Sequence, residues 1–194
     1  MLKVNKVLNK IMLSFNNIKD EGAIALGGAL KTNKTLKKLE LEYCGIGPEG
    51  GKALASALSE SSAVLTTLDL RDNQLTNYGN DMSGVLAIAD ALKVNAVLTS
   101  LVLKSNMIGV DGSKALASML KVNRVLTSLN LRNNRIGPEG AKALADALRV
   151  NAVLTLDLSK NRLCGVYLRY GKEGEQLGTL DPSGIQALAS ALTE

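Results

Sequence analysis

This sequence of 194 residues has no histidine and no tryptophan, and it contains only one Phe, four Tyr and three Pro. The lack of histidine removes the most common general base and the most common metal ligand of proteins. Because aromatic residues are so scarce, the interior must be filled by the small and aliphatic residues that dominate the 46% hydrophobic content. We therefore expect a non-enzymatic protein with an aliphatic core, no cofactor and no metal site.

Long apolar runs are also missing. No run approaches the roughly 18 residues that a membrane-spanning helix needs, and residues 1 to 20 lack the apolar segment of a secretory signal. The two cysteines are too few for a disulfide framework, which fits the cytoplasm or another reducing compartment. The formal net charge is only +5 and the basic residues are interspersed with acidic ones, so we do not expect nucleic acid as a partner.

What the sequence does contain is an internal repeat. The unit L-x-x-L-x-L-x-x-N-x-I/L starts at Leu8, Leu36, Leu65, Leu98 and Leu126, and again in a shortened form at Leu154. These starts lie 28, 29, 33, 28 and 28 residues apart. Such a period predicts a solenoid, in which no unit can bury its own apolar face and stacking creates the core.

Each unit divides into a strand and a helix. Leucines alternate with polar residues in LTSLNLRNN (126 to 134), which indicates a short strand. Small and apolar residues fall three and four apart in GPEGAKALADALRVNAV (137 to 153), which indicates one face of a helix. Pro138 and Glu139 suit its first turn, and Arg149 suits its negative end. At the helix ends we expect a left-handed asparagine, at Asn33, Asn95, Asn123 and Asn151.

A second set of asparagines follows the strands at the ninth position of the unit, and it predicts a ladder of side chains that bridge adjacent turns. The members are Asn16, Asn73, Asn106, Asn134 and, one place early, Asn161. Cys44 takes this position in the second unit, so we expect it to be a buried structural thiol. Cys164 lies four strands further on, about 19 Å by strand spacing, which is far beyond the about 7 Å limit for a disulfide. Both cysteines should be free thiols.

This motif, with its helical half and 28-residue period, resembles the leucine-rich repeats of the ribonuclease inhibitor class over essentially residues 2 to 194. The resemblance implies an α/β solenoid shaped as a horseshoe arc, with parallel strands on the concave face and helices on the convex face. We expect one domain of about six repeats over residues 1–194. The opening MLKVNKVL (1 to 8) matches the interior MLKVNRVL (119 to 126), so we expect that capping units are lacking.

Two units carry insertions between strand and helix, at 76–81 and 164–180, and both should leave the same edge of the arc. Loops on a rigid scaffold often bind partners, although neutral insertions are also tolerated. Aromatic residues are frequent interface anchors. The candidate partner-binding residues of the insertions are Tyr78, Tyr167, Arg169 and Tyr170.

The outward columns of the strands supply a second set of candidates. These concave-face residues are Met12, Phe15, Glu40, Glu42, Tyr43, Asp69, Arg71, Lys104 and Arg132. The consecutive basic residues Arg71, Lys104 and Arg132 would suit a partner that presents carboxylates. Two simpler interpretations stay open: charged strands keep such a sheet soluble, and Phe15 and Tyr43 cover each other across neighbouring strands.

We expect a protein-interaction module or scaffold whose partner, a protein, is held by the concave face and the insertions. One alternative is a structural accessory subunit of a larger assembly. A more distant alternative is a regulator of a GTPase, because the repeats are similar to those of the Ran GTPase-activating protein, although that family's functional residues match no particular positions here.

Overall fold

The computed structural model describes residues 5–151, 155–168 and 176–193, and it has six strand–helix units in succession. The repeat strands are β1 (Lys10–Met12), β2 (Lys38–Glu40), β3 (Thr67–Asp69), β4 (Ser100–Val102), β5 (Ser128–Asn130) and β6 (Thr155–Asp157). The helices are α1 (Lys19–Leu30), α2 (Pro48–Leu58), α3 (Ser83–Val94), α4 (Gly109–Leu120), α5 (Gly137–Leu148) and α6 (Ser183–Ala191). The six strands form one parallel sheet in sequence order, and each helix packs against the next, as the α/β solenoid requires.

The core lies between the sheet and the helices, and it is aliphatic as predicted. One leucine or isoleucine from the middle of each strand pairs in register with its neighbours, in the series Ile11, Leu39, Leu68, Leu101, Leu129 and Leu156. The interior members of this series are almost completely buried. Burial of one such leucine contributes about 1.5–3 kcal/mol, so the stacked units stabilise one another through a continuous interior.

The ladder of asparagines after the strands is confirmed. Asn134, for example, accepts hydrogen bonds from the backbone N–H groups of Asn106 (2.8 Å) and Ile108 (3.3 Å) in the preceding turn. Its amide group also donates to the carbonyl oxygen of Leu103 (2.8 Å). In the second unit, Cys44 is fully buried and its thiol donates to the carbonyl oxygen of Leu13 (3.2 Å). The prediction of a structural thiol at Cys44 is therefore confirmed, and both cysteines are free.

The asparagines at the helix ends do not have the left-handed conformation that we expected. Asn95 has an extended backbone (φ −71°, ψ 127°), and none of the other three has a positive φ. Instead, the side chain of Asn95 accepts from the N–H groups of Val97 (3.0 Å) and Leu98 (2.7 Å) and donates to the carbonyl oxygen of Leu58 (2.7 Å). These residues thus form a second ladder, which closes each helix-to-strand junction onto the preceding one.

The sixth unit also differs from expectation. Leu156 pairs with Leu129, and Asn161 follows Leu156 by the same five residues that separate Asn134 from Leu129. Asn161 is therefore not early in its unit, and the one-residue deletion precedes the strand. The predicted start of this unit, Leu154, lies outside the described residues.

Candidate functional site

The outward columns of the sheet have the predicted register. Met12, Glu40 and Asp69 pair across the first three strands, and Met12 is exposed. Asp69, in contrast, is only 4% exposed, because its carboxylate accepts hydrogen bonds from the backbone and the guanidinium of Arg71. Asp69 therefore serves to hold Arg71 in place.

The three consecutive basic residues of the next column are all bound to neighbours. Arg71 lies against Asp69 and 3.8 Å from Glu42, and the hydrogen bond to Asp69 raises the pKa of the guanidinium. Lys104 contacts Asp72 at 3.1 Å, and Arg132 donates to the hydroxyl of Ser159 at 2.7 Å. A partner that presents carboxylates to this column would have to compete with these contacts, so its use in binding stays a prediction.

Glu40 is held by a pair of lysines on the same face. The ammonium groups of Lys10 and Lys38 lie 3.3 and 3.0 Å from its carboxylate. The hydrogen bond from Lys38, followed by the one from Lys10, lowers the pKa of Glu40. The charge of the Glu40 carboxylate is thus neutralised from within the chain.

Phe15 and Tyr43 lie three residues beyond the carboxyl ends of β1 and β2, and their rings stack with centroids 5.7 Å apart. The predicted mutual contact is therefore real, but it leaves the two residues 70% and 66% exposed. Both have a left-handed backbone, with φ of 61° and 51°. Asp72, Ser105 and Asn133 occupy the same left-handed position in later units, and Asp and Asn tolerate that conformation better than aromatic residues do.

Tyr78 lies in the first insertion, within the 3-10 turn Asn77–Gly79, and it also has a left-handed backbone (φ 59°). The turn is anchored by Thr76, which is fully buried. The Thr76 hydroxyl donates to the carbonyl oxygen of Asn106 (2.8 Å) and accepts from the N–H group of Gly79 (3.0 Å). This anchor fixes the backbone of the insertion and leaves Tyr78 itself 58% exposed.

These three aromatic residues line a single open depression of about 620 Å³, together with Asp72, Gln74 and Ser105. We call Phe15, Tyr43 and Tyr78 the aromatic shelf. The sequence assigned Tyr78 to an insertion and the other two to the strand face, whereas the fold places all three together. The left-handed backbone of Phe15 and Tyr43 belongs to the repeat, since it recurs in later units, whereas that of Tyr78 belongs to the insertion.

The second insertion leaves the same edge of the sheet, as predicted. Its base is closed by a hydrogen bond from the N–H group of Asp181 to the carbonyl oxygen of Cys164 (2.9 Å). Inside it, β7 (Tyr167–Leu168) pairs antiparallel with β8 (Gln176–Leu177). Arg169 and Tyr170 lie outside the described residues. The predicted role of this insertion in binding stays a prediction.

A second depression of about 470 Å³ adjoins the aromatic shelf, and it contains four carboxylates. These are Asp20, Glu21, Glu49 and Asp81. Asp20 caps the neighbouring helix, because one of its carboxylate oxygens accepts from the N–H groups of Gly47 (2.7 Å) and Gly50 (2.8 Å). We call this set the acidic depression. Sequence reasoning missed it; the available signal was the acidic residues in the first turns of α1 and α2.

Comparison with known proteins identifies the repeat family. A family model described as leucine-rich repeat matches residues 4–27, 32–55, 61–79, 94–117 and 122–145, which is more than half of the sequence. The chain belongs to the leucine-rich repeat family. The prediction of a leucine-rich repeat solenoid is thus confirmed, and repeats of this kind characteristically present extended concave surfaces for binding. Comparison with curated proteins gave no match.

Two solved structures are similar in fold. The C-terminal domain of tropomodulin from Caenorhabditis elegans aligns with a TM-score of 0.58 and 15% identity, covering 74% of this chain and 83% of that domain. The actin-binding site 2 of leiomodin-1 aligns with a TM-score of 0.51 and 20% identity, covering 99% of this chain and 86% of that one. At these identities the likeness concerns the fold.

Within residues 5–151, 155–168 and 176–193, no group of three or more His, Cys, Asp or Glu side chains could hold a metal ion. Over the same ranges, no helix combines the length and apolar character needed to span a bilayer.

Proposed function

We propose that this chain is a rigid, non-enzymatic protein-interaction module, and that its partner docks on the aromatic shelf and the adjoining strand face. The observation that carries the proposal is the convergence of Phe15, Tyr43 and Tyr78 on one depression. Three separate segments of the chain supply these residues. Exposed tyrosine and phenylalanine side chains in a shared depression are typical anchors of protein interfaces.

The rigidity of the shelf supports the same function. The N–H groups of Phe15 and Tyr43 donate to carbonyl oxygens of the following turn (2.8 and 3.1 Å), and the two rings stack. The buried Thr76 anchors the turn that carries Tyr78. A preformed surface loses little conformational freedom on binding, which favours affinity. The similarity in fold to a leiomodin-1 segment named as an actin-binding site agrees with a protein partner, without identifying it.

The proposal is tested by affinity capture with the whole chain as bait, followed by mass spectrometry and measurement of Kd for the captured protein. The triple variant Phe15→Ala, Tyr43→Ala, Tyr78→Ala should bind at least about thirtyfold more weakly, because interface anchors contribute about 2 kcal/mol or more.

A matched control also shortens three exposed side chains to alanine, but at the edge of the solenoid opposite the aromatic shelf. Val94, Val122 and Val150 are exposed at the carboxyl ends of α3, α4 and α5. The triple variant Val94→Ala, Val122→Ala, Val150→Ala should therefore bind like the wild type. Equal affinities for the shelf variant and the wild type would refute the proposal.

A second candidate function is an accessory subunit that is stabilised inside a larger assembly. It is favoured by an apolar depression of about 440 Å³ beside β6 and α6, whose lining includes Leu148, Leu156, Leu158, Leu188 and Leu192. Sedimentation and thermal melting of the chain alone distinguish the two candidates. A cooperative monomer favours the autonomous module, whereas association that is abolished by Leu192→Glu, at a residue 82% exposed, favours the embedded subunit.

A further inference from the structure

The aromatic shelf and the acidic depression form one continuous surface, because Asn17, Gly45 and Gln74 line both. Asn77 faces the acidic depression while its neighbour Tyr78 faces the shelf. The first insertion therefore separates an aromatic half from an acidic half of the same docking surface.

The charge of this surface differs from that of the whole chain, which carries a formal net charge of +5. Four carboxylates and one lysine, Lys19, line the acidic depression. Glu49 is bound to Lys52 at 2.6 Å. Among the described residues, no cationic group lies within 4.0 Å of Glu21 or Asp81. Neither carboxylate forms an ion pair with these residues, although Asp81 accepts the N–H group of Ser83 (2.8 Å) and is attracted by Lys52.

The rings of the shelf favour the same class of ligand. The face of an aromatic ring carries negative electrostatic potential and attracts cations, arginine more often than lysine. A guanidinium group can stack on such a ring and donate paired hydrogen bonds to a carboxylate. On this surface the rings and the carboxylates are adjacent, so neighbouring arginines of one extended segment can use both.

We propose that the partner is a basic segment of a protein, with one arginine on the aromatic shelf and a nearby cationic residue in the acidic depression. This inference rests on the proposed function, since it names the chemistry of the partner at the same site. It makes no use of the basic column of Arg71, Lys104 and Arg132, whose members are already bound within the chain.

The test uses three synthetic nonapeptides that differ only at four alternate positions. These positions carry Arg in the first peptide, Gln in the second and Glu in the third, and the remaining positions are Gly and Ser. Binding to the whole chain is followed by two-dimensional ¹H–¹⁵N NMR spectra. The Arg peptide should shift the amide signals of residues 15–21, 43–49 and 72–81, and its affinity should fall as NaCl is raised from 0.05 to 0.5 M, because salt screens exposed charges.

The decisive variant removes two carboxylate charges without changing side-chain size, as Glu21→Gln with Asp81→Asn. The matched control is Asp111→Asn with Asp181→Asn. Asp111 is the third residue of α4, as Glu21 is of α1. Asp181 accepts the N–H group of Ser183 (3.0 Å) just as Asp81 accepts that of Ser83 (2.8 Å). Any loss of helix stability should therefore be equal in the two double variants.

The first double variant should bind the Arg peptide roughly tenfold more weakly, since two exposed charge pairs each contribute up to about fivefold, and the control should bind like the wild type. The inference is overturned if the Gln or Glu peptide binds as tightly as the Arg peptide, if both double variants weaken binding equally, or if no signals shift at millimolar peptide. If the inference is overturned but Phe15→Ala, Tyr43→Ala, Tyr78→Ala still weakens binding of the captured protein, the proposed function is retained. Only the basic character of the partner is then wrong.

Discussion

Replacement of Asn134 by alanine should strongly destabilise the protein, because this side chain joins two turns in the buried ladder. Asn134 is fully buried and its amide makes five hydrogen bonds to backbone groups. Alanine would leave the N–H groups of Asn106 and Ile108 without that acceptor. Each buried polar group left unsatisfied costs about 1–3 kcal/mol, so we expect a loss of about 3 kcal/mol from a total stability on the order of 5–15 kcal/mol.

The same repeat position provides the control. Asn16 is exposed, and the bonds its amide donates go to Leu13 (3.0 Å) and Ser14 (3.2 Å) within its own turn. The variant Asn16→Ala should therefore lose less than about 1 kcal/mol, as exposed substitutions usually do.

Urea unfolding followed by circular dichroism gives both free energies of unfolding. Hydrogen exchange should in addition show faster exchange at the amides of Asn106 and Ile108 in Asn134→Ala. Equal free energies of unfolding for the two variants would refute the conclusion that cross-turn bonding, rather than the asparagine side chain as such, stabilises the ladder.

Three further predictions follow from the packing and the charges. Gly84→Ala should destabilise the protein, because the added Cβ would lie 2.7 Å from a backbone oxygen. Gly28→Ala, whose Cβ would meet nothing within 4 Å, should raise the free energy of unfolding by up to about 1 kcal/mol. Urea unfolding measures both variants, and a more stable Gly84→Ala than Gly28→Ala would contradict this prediction. The pKa of Glu40 is below its ordinary value of 4.5, so its lysine contacts stabilise the fold above that pH and are lost as the pH falls through the lowered pKa. The melting temperature should therefore fall less steeply at acid pH in Glu40→Gln than in the wild type. Parallel curves of melting temperature against pH would contradict this prediction. Burial raises the pKa of the Cys44 thiol, so a thiol reagent should label Cys164 before Cys44. The variant Cys164→Ser should react very slowly until it is unfolded. Rapid labelling of this variant in its folded state would contradict the prediction.

Sequence reasoning worked best where one local pattern repeats. The strand leucines, the ladder asparagines and the insertions each follow from the spacing of residues within a unit, and the register of the sheet repeats that spacing in every turn. It failed at Asn95 and its equivalents, because an asparagine at a helix end can serve either by left-handed geometry or by side-chain hydrogen bonds. The side-chain hydrogen bonds form because the helix-to-strand junction of the preceding unit lies within reach, and the sequence does not show that proximity.

The sequence alone determined the solenoid, its aliphatic interior and the buried thiol at Cys44, since each depends on a periodic pattern that stacking can satisfy in one way. The tertiary structure alone decided which outward residues are available to a partner. Asp69 is covered by Arg71, although both lie in outward columns, because side chains two residues apart on one strand face can pair. Tyr78 meets Phe15 and Tyr43 because the buried Thr76 fixes the path of an inserted loop. Contacts of this kind depend on distances between units, and the periodicity of the sequence does not specify those distances.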